Sequence, residues 1–220
     1  MSARSTAVTF TNGTRNTSLL LVDSGLAHGE WSSEPPNVIG PGQDVNWGSQ
    51  SDGFLTGTEG YVRYFPFPAG TDDVGVPSPV PDDATVYLYW DNPYIGSNSY
   101  DQSAPSPYAV SREGSGSGDN AAISFSLGGA FGPDTCVPGF VWREAFEGDH
   151  VCVLPATRAQ AQQDNSQAAA RRAGGGAFGP DTCKQGYVWR EASPTDHVCV
   201  TPETRTQTAL DNEAASQRVI

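Results

Sequence analysis

The chain reads as a mainly β protein: an antiparallel β-sandwich followed by two small disulfide-stapled β-hairpin-plus-helix repeats. Three observations give that reading. Residues 5–128 carry short runs of alternating apolar and polar residues between turn signals, the mark of a sandwich or barrel. Gly 25 and Pro 17 in 220 residues argue against an all-helical chain. Residues 130–220 contain one sequence written twice. The expected boundaries are 1–128 for the sandwich, 129–173 for the first repeat and 174–220 for the second.

The strands follow in order. Ala7 to Thr11 alternates, and Asn12-Gly13 reads as a hairpin turn. Ser18 to Asp23 is apolar and ends at Ser24-Gly25. Gly29 to Ser33 carries Trp31. A turn at Ile39-Gly40-Pro41-Gly42 leads to Asp44–Ser49, which carries Trp47. Gly60 to Phe65 holds Tyr61, Val62 and Tyr64. Pro66 to Asp83 is proline-rich and acidic and reads as a long exposed loop. Ser115-Gly116-Ser117-Gly118 reads as a flexible loop, because Ala121 to Leu127 again alternates with Ile123, Phe125 and Leu127.

The most informative strand is Thr85 to Trp90, which leads into VYLYWDNPYIGSNSY (Val86 to Tyr100). Val86, Leu88 and Trp90 alternate with Tyr87, Tyr89 and Asp91, as in a strand packed on both faces. Asp91-Asn92-Pro93 then forces a turn. Trp90, Tyr94 and Tyr100 therefore sit at or beyond a strand end. Each ring has two readings there: a core filler closing the strand end, or an amphipathic contact at a wet, partly apolar surface.

The duplication is direct. Ala130 begins AFGPDTCVPGFVWREAFEGDHVCVLPATR, and Ala177 begins AFGPDTCKQGYVWREASPTDHVCVTPETR, an offset of 47 residues. That period suits a repeat unit, though two copies do not make a solenoid. Arg171 to Gly176, RRAGGG, reads as the linker. Each copy runs Gly-Pro-Asp turn, Cys, strand (Phe140 to Ala145, or Tyr187 to Ala192), turn (Glu147-Gly148-Asp149, or Pro194-Thr195-Asp196), and strand (His150 to Val153, or His197 to Val200). Pro155 or Pro202 then opens a helix, since Pro is tolerated in a first turn. Asp164-Asn165 and Asp211-Asn212 weaken those helices slightly.

Each copy places two cysteines 16 residues apart. A unit this small buries too little apolar area to stand alone, and a cystine closing such a loop contributes about 3 kcal/mol by loop entropy. The expected pairs are Cys136–Cys152 and Cys183–Cys199, in an oxidising compartment. Zinc is the sharper alternative, since each copy has two Cys and one His. It lacks any C-x-x-C pair, and His150 lies awkwardly close to Cys152 on one strand. Free thiols are the third reading. Trp142 and Trp189 read as a miniature core capped by ion pairs, with a ligand role as the alternative. The repeat resembles a cysteine-framed module of the GYVWREA…DHVCVTP…R type, found at the ends of many actinobacterial proteins, to which no activity attaches.

Composition narrows the partners. The formal net charge is -13, and it is uneven: residues 1–128 hold 4 Arg against 14 acids, while residues 129–220 hold 7 Arg and 1 Lys against 11 acids. Such acidity disfavours nucleic acid, whose affinity rests on neutralised phosphates, and anionic lipid, which needs clustered basic residues. Mean hydropathy is -0.42. No apolar run approaches the roughly 18 residues of a membrane-spanning helix, and the opening MSARSTAVTFTNGT lacks a secretory signal. The expectation is a protein secreted or released without a recognisable signal.

Three segments align with one family: LAHGEW (Leu26 to Trp31), SQSDGFLTGTEGYVRY (Ser49 to Tyr64) and YLYWDNPYIGSNSY (Tyr87 to Tyr100). Residues 5–128 resemble the bacterial branch of the aegerolysins, which includes crystal-associated insecticidal proteins. The resemblance implies a compact β-sandwich that recognises membrane lipids, in some members with a larger pore-forming partner protein. This chain has Asn92 where many fungal members have Cys after the Trp-Asp pair, so the fungal lipid-site residues do not transfer one by one.

The lipid-contact candidates are Trp31, Trp47, Trp90, Tyr94 and Tyr100. A ring inserted at headgroup depth buries its body and keeps its polar tip wet, and three or four would supply several kcal/mol at about 25 cal/mol per Å2 before ordering costs. Two or three of the five are expected to be core, since a sandwich needs large fillers. The expected partner is membrane lipid with a neutral or zwitterionic headgroup, and the expected role a cytolytic or insecticidal toxin or the targeting half of a two-part pore. A homo-oligomeric assembly protein using the repeats is the alternative, and glycan binding a weaker one.

No cofactor, metal or catalysis is expected. There is no H-E-x-x-H, P-loop or dinucleotide fingerprint, and Gly116 stands where G-x-S-x-G needs Ser. His28 reads as a turn or edge residue. Paired carboxylates are too plentiful for counting to decide on a glycosidase. Asp72-Asp73 and Asp82-Asp83 read as solvated loops rather than Ca2+ ligands. Asn12 and Asn16 match glycosylation acceptors.

Overall fold

A computed structural model describes residues 3–71 and 75–220, so Asp72-Asp73 lie outside the described residues. The chain divides into two compact units: one up to Pro133 with Ile220, the other Asp134–Val219.

The first unit is a β-sandwich. Its strands are β1 (Ser5–Asn12), β2 (Thr17–His28), β3 (Glu30–Ser33), β4 (Val38–Ile39), β5 (Asp44–Gln50), β6 (Thr58–Pro68), β7 (Val86–Asn92), β8 (Ser99–Ser103), β9 (Tyr108–Glu113) and β10 (Asn120–Gly129). They form two five-stranded sheets, β3-β5-β1-β10-β9 and β4-β2-β6-β7-β8. Pairing is antiparallel except between β1 and β10, which run parallel from Ser5↔Asn120 to Asn12↔Leu127. The core comes from alternate residues of facing sheets: Val8 and Phe10, Trp47, Val62 and Tyr64, Val86, Leu88 and Trp90, and Ile123, Phe125 and Leu127. Phe10, Trp47 and Tyr64 form its aromatic centre, with centroids 6.2 to 6.4 Å apart. On the outer face of β7, Tyr87 packs beside Tyr61 and under the Arg63 guanidinium.

The hairpin expected at Asn12-Gly13 does not form. β1 and β2 lie in different sheets, so this turn is an arch between layers. Asn12 is fully buried, and its amide donates to the carbonyls of Thr17, Ile39 and Gly40 while its oxygen accepts from the Thr14 hydroxyl. A side chain that plugs an arch is not a glycan acceptor. The prolines at 66 and 68 do not start a loop either. β6 runs on to Pro68, pairing Leu19↔Pro66 and Thr17↔Pro68 with β2. Pairing with β7 stops at Tyr64↔Val86, which leaves the residues beyond on a free edge where proline's missing N–H is tolerated. β4, β8 and β9 were not legible: they are short or polar edge strands with a weak alternation.

Gly60 marks a close approach within the core of the sandwich. A Cβ there would lie 2.4 Å from Leu26 Cδ2 and 2.8 Å from Trp90 Cζ2.

The second unit contains both repeats and both expected disulfides, Cys136–Cys152 and Cys183–Cys199. The zinc reading falls with them. Each repeat has a two-residue ladder, β11 (Val141–Trp142) with β12 (Cys152–Val153) and β13 (Val188–Trp189) with β14 (Cys199–Val200), followed by α1 (Pro155–Arg171) or α2 (Pro202–Glu213). The Trp side chains do not form the miniature core. The fully buried large side chains are Arg143 and Arg190, each gripped by a carboxylate in a two-pronged pair: Arg143 with Asp149 at 2.7 and 2.9 Å, Arg190 with Asp196 at 2.7 and 3.0 Å. The same carboxylates accept the backbone N–H of Ala145 and Ala192. Trp142 and Trp189 instead stack on His150 and His197 at 4.2 Å and donate their indole N–H to the Asp134 and Asp181 carbonyls. The helix pairs Asp164-Asn165 and Asp211-Asn212 are docking residues: Asn165 donates to the Ala145 carbonyl, and Asp164 is buried against Arg171.

Two predictions follow from these sites. Gly60→Ala will lower the sandwich's stability by about 1–3 kcal/mol, the usual penalty of overpacking, read as an earlier urea midpoint. Asp149→Ala will cost the second unit about 3–5 kcal/mol, because it strands a buried guanidinium; urea titration monitored by Trp emission will show that unit melting first.

Candidate functional site

Register places several chain segments at one end of the sandwich. Ser5 pairs with both Gln50 and Asn120, Thr58 with Asn92, and Asp91 with Ser99. The β5–β6 loop, the β7–β8 loop and the β9–β10 loop therefore share this rim. The first two touch: a Cβ at Gly57 would meet the Asn92 carbonyl oxygen at 2.6 Å and Pro93 Cα at 2.7 Å.

The β5–β6 loop is braced from within. The Thr56 hydroxyl accepts from the Gly53 N–H and donates to the Gly53 carbonyl, both at 3.0 Å. The Ser51 hydroxyl accepts from the N–H groups of Ala3 and Arg4. Leu55 takes φ 61, a left-handed conformation uncommon outside glycine. The result is a fixed tip presenting Phe54, 91% exposed, and Leu55 to solvent. Across from it Ile95 is 87% exposed. Large apolar side chains exposed at one rim of a sandwich are a mark of a contact surface.

Between the two loops lies a cleft of about 380 Å3, lined by Glu30, Gln50, Asp52, Phe54, Leu55 and Tyr94 among others. Arg4 anchors one wall: its guanidinium sits 5.5 Å from the Tyr94 ring centroid, donates to the Tyr94 carbonyl at 2.6 Å and pairs with Asp119. Asn92 ties the strand end to the opposite sheet, donating to the carbonyls of Ser5 and Asp119.

The five sequence candidates separate here. Trp47 and Trp90 are 1% and 0% exposed and are corrected to core. The sandwich needs wide fillers, and β5 and β7 turn these two indoles inward. The Trp90 indole N–H donates to the Ser49 hydroxyl at 2.8 Å, which also accepts from Thr58. Trp31 is half-buried and meets Trp90 edge-on at 5.8 Å. Tyr100 is half-buried against the core, and its hydroxyl donates to the Gly116 carbonyl at 2.6 Å. Burial pushes its pKa up, with Arg112 over the ring opposing. Only Tyr94 lines the cleft. Phe54, Leu55 and Ile95 were missed. Their signal was an apolar residue stranded inside a turn-rich stretch, as in Asp52-Gly53-Phe54-Leu55-Thr56-Gly57, where no strand can absorb it.

At the same end, Glu59 accepts from the Tyr89 hydroxyl at 2.7 Å and lies 3.7 Å from His28. Burial raises the Asp91 pKa, helped by Glu59 beside it. No group of described residues is arranged to hold a metal ion, and no helix is long and apolar enough to cross a membrane.

No family model matches the chain. It is 25% identical over 125 residues to an uncharacterized protein of Dictyostelium discoideum, covering 57% of this chain and 10% of that one, so the match spans about a tenth of that relative. Among solved structures it is similar to RahU in complex with a TRIS molecule (15% identity, 59% of this chain and 97% of that one, TM-score 0.44). It is also similar to Nakanori, described as a lipid binding protein (14%, 58% and 72%, 0.41). The third is IP-1A from Alcaligenes faecalis (17%, 59% and 94%, 0.39).

Tyr100→Phe will cost about 1 kcal/mol of stability by removing the bond to Gly116. The same variant will leave rim chemistry unchanged, which equilibrium unfolding and surface-binding assays read separately.

Proposed function

We propose that the first unit binds a membrane lipid surface through this rim. The observation that carries the reading is the set of large apolar side chains, Phe54, Leu55 and Ile95, exposed on two touching loops, with Tyr94 lining the cleft beside Phe54 and Leu55. Moving each of the three from water into a headgroup–acyl boundary is worth about 1.5–3 kcal/mol, enough for reversible attachment once ordering and association costs are met. The braced loop lowers those costs because its tip is already fixed. The resemblance of residues 5–128 to aegerolysins supports the same reading.

Charge selects the surface. Glu30 and Asp52 line the cleft, and the Arg4 guanidinium against Tyr94 is already paired with Asp119. An anionic bilayer would meet uncompensated carboxylates, so the target is a neutral or zwitterionic headgroup. The role that fits is targeting: a cytolytic or insecticidal protein, or the membrane-seeking half of a two-part pore whose partner supplies the spanning element. The reading involves no catalytic step. The two disulfides fit an oxidising, extracellular setting.

Flotation with vesicles of zwitterionic phospholipid, with and without sphingolipid and sterol, and with anionic phospholipid tests this. Binding is expected to the uncharged surfaces, with little dependence on salt and no gain from anionic lipid. The double variant Phe54→Ser/Ile95→Ser will weaken partition at least about tenfold, whereas Tyr100→Phe will not. Failure on every uncharged composition, or undiminished binding by the double variant, sinks the proposal. Dye leakage with this protein alone separates targeting from lysis.

A further inference from the structure

The two repeats complete one another reciprocally. At the end of α1, Arg171 donates to the Cys199 carbonyl in the second repeat and lies over the Tyr187 ring at 5.2 Å. After α2, Arg218 donates to the Cys152 carbonyl in the first repeat and lies over the Phe140 ring at 5.0 Å. Arg172 bridges to Cys183, and Val219 bridges to Cys136. The buried guanidiniums cross as well: Arg143 donates to the Ala192 carbonyl at 3.5 Å, and Arg190 to the Ala145 carbonyl at 3.1 Å. Every such contact has its counterpart under exchange of the repeats, which is the signature of an isologous two-fold interface. Here both halves are on one chain.

From this we infer that the surface between the repeats is a self-recognition surface for a second copy of this chain. The first repeat of one molecule closes on the second repeat of another, giving a repeat-exchanged dimer that carries two sandwiches. No contact is lost in the exchange, because each pair is remade between chains. Neither disulfide opposes it, since both close within a repeat. What keeps the closed form dominant in dilute solution is the short Gly174–Gly176 connection, all exposed, which sets an effective concentration of about millimolar order. Exchange therefore needs the unit to open while other chains are near that concentration.

The test uses the full chain with its disulfides oxidised, unfolded in urea and refolded either dilute or near-millimolar. The dilute sample should be the 23.2 kDa monomer by light scattering. The concentrated one should contain a dimer of twice that mass that persists on dilution and reverts only after another unfolding cycle. Native protein concentrated without urea should stay monomeric. A chain ended after Ala173, which keeps one repeat, should dimerise outright, with Arg171 of each copy over Phe140 of the other. Two results overturn the inference: native monomer only, at every refolding concentration, or a dimer that forms as readily without unfolding, which would place the contact elsewhere. If the shortened chain does not fold, the full-chain refolding series decides alone.

Discussion

Closure of the sandwich on the Trp90 indole is the constraint from which the candidate site follows. The ring is fully buried, bonded to the Ser49 hydroxyl, met edge-on by Trp31, and accommodated only because Gly60 has no side chain. These contacts draw the ends of β3, β5, β6 and β7 together at one rim. The loops that leave those ends are consequently adjacent, and whatever apolar residues they carry are shown side by side. The core and the rim are thus two outcomes of one packing event: the indoles are consumed inside, and the shorter apolar side chains of the turns are left outside.

This explains what could be read in the sequence. The sandwich class, the alternating strands and both disulfides were legible, because alternation and cysteine spacing are local signals. The face chosen by each ring was not. Trp47 and Trp90 carry the same residue chemistry as Trp31, and only the register of β5 and β7 distinguishes a filler from a half-exposed edge. The arch at Asn12 misled for a related reason. Asn-Gly is a strong hairpin signal, yet the amide here serves the Thr17 carbonyl and the distant Ile39 and Gly40 carbonyls, a role with no local mark. In the repeats, the reading of Trp142 and Trp189 as the miniature core gave way to Arg143 and Arg190, whose carboxylate partners Asp149 and Asp196 sit in the turn.

The second unit shows how a chain with few apolar side chains can still build an interior. Its buried cluster of hydrophobic residues is three alanines, Ala145, Ala161 and Ala192. Fully buried Val153, Val200, Cys152 and Cys199 and the two guanidinium–carboxylate pairs make up the rest, and each carboxylate also receives a backbone N–H. A buried ion pair is only weakly favourable in net terms, but it is highly directional. Such a centre specifies which surfaces meet more than it adds stability, and the cystines supply the latter. That division of labour suits a unit whose two halves pack against each other.

One geometrical detail reaches beyond this chain. Because Val219 bridges to Cys136, the backbone departs from the repeat pair within a strand's width of where it arrived. A module with adjoining termini can be grafted into an exposed bend of an unrelated scaffold without prising that scaffold apart. The pair of repeats is in this sense portable: a host could acquire it by insertion as easily as by extension.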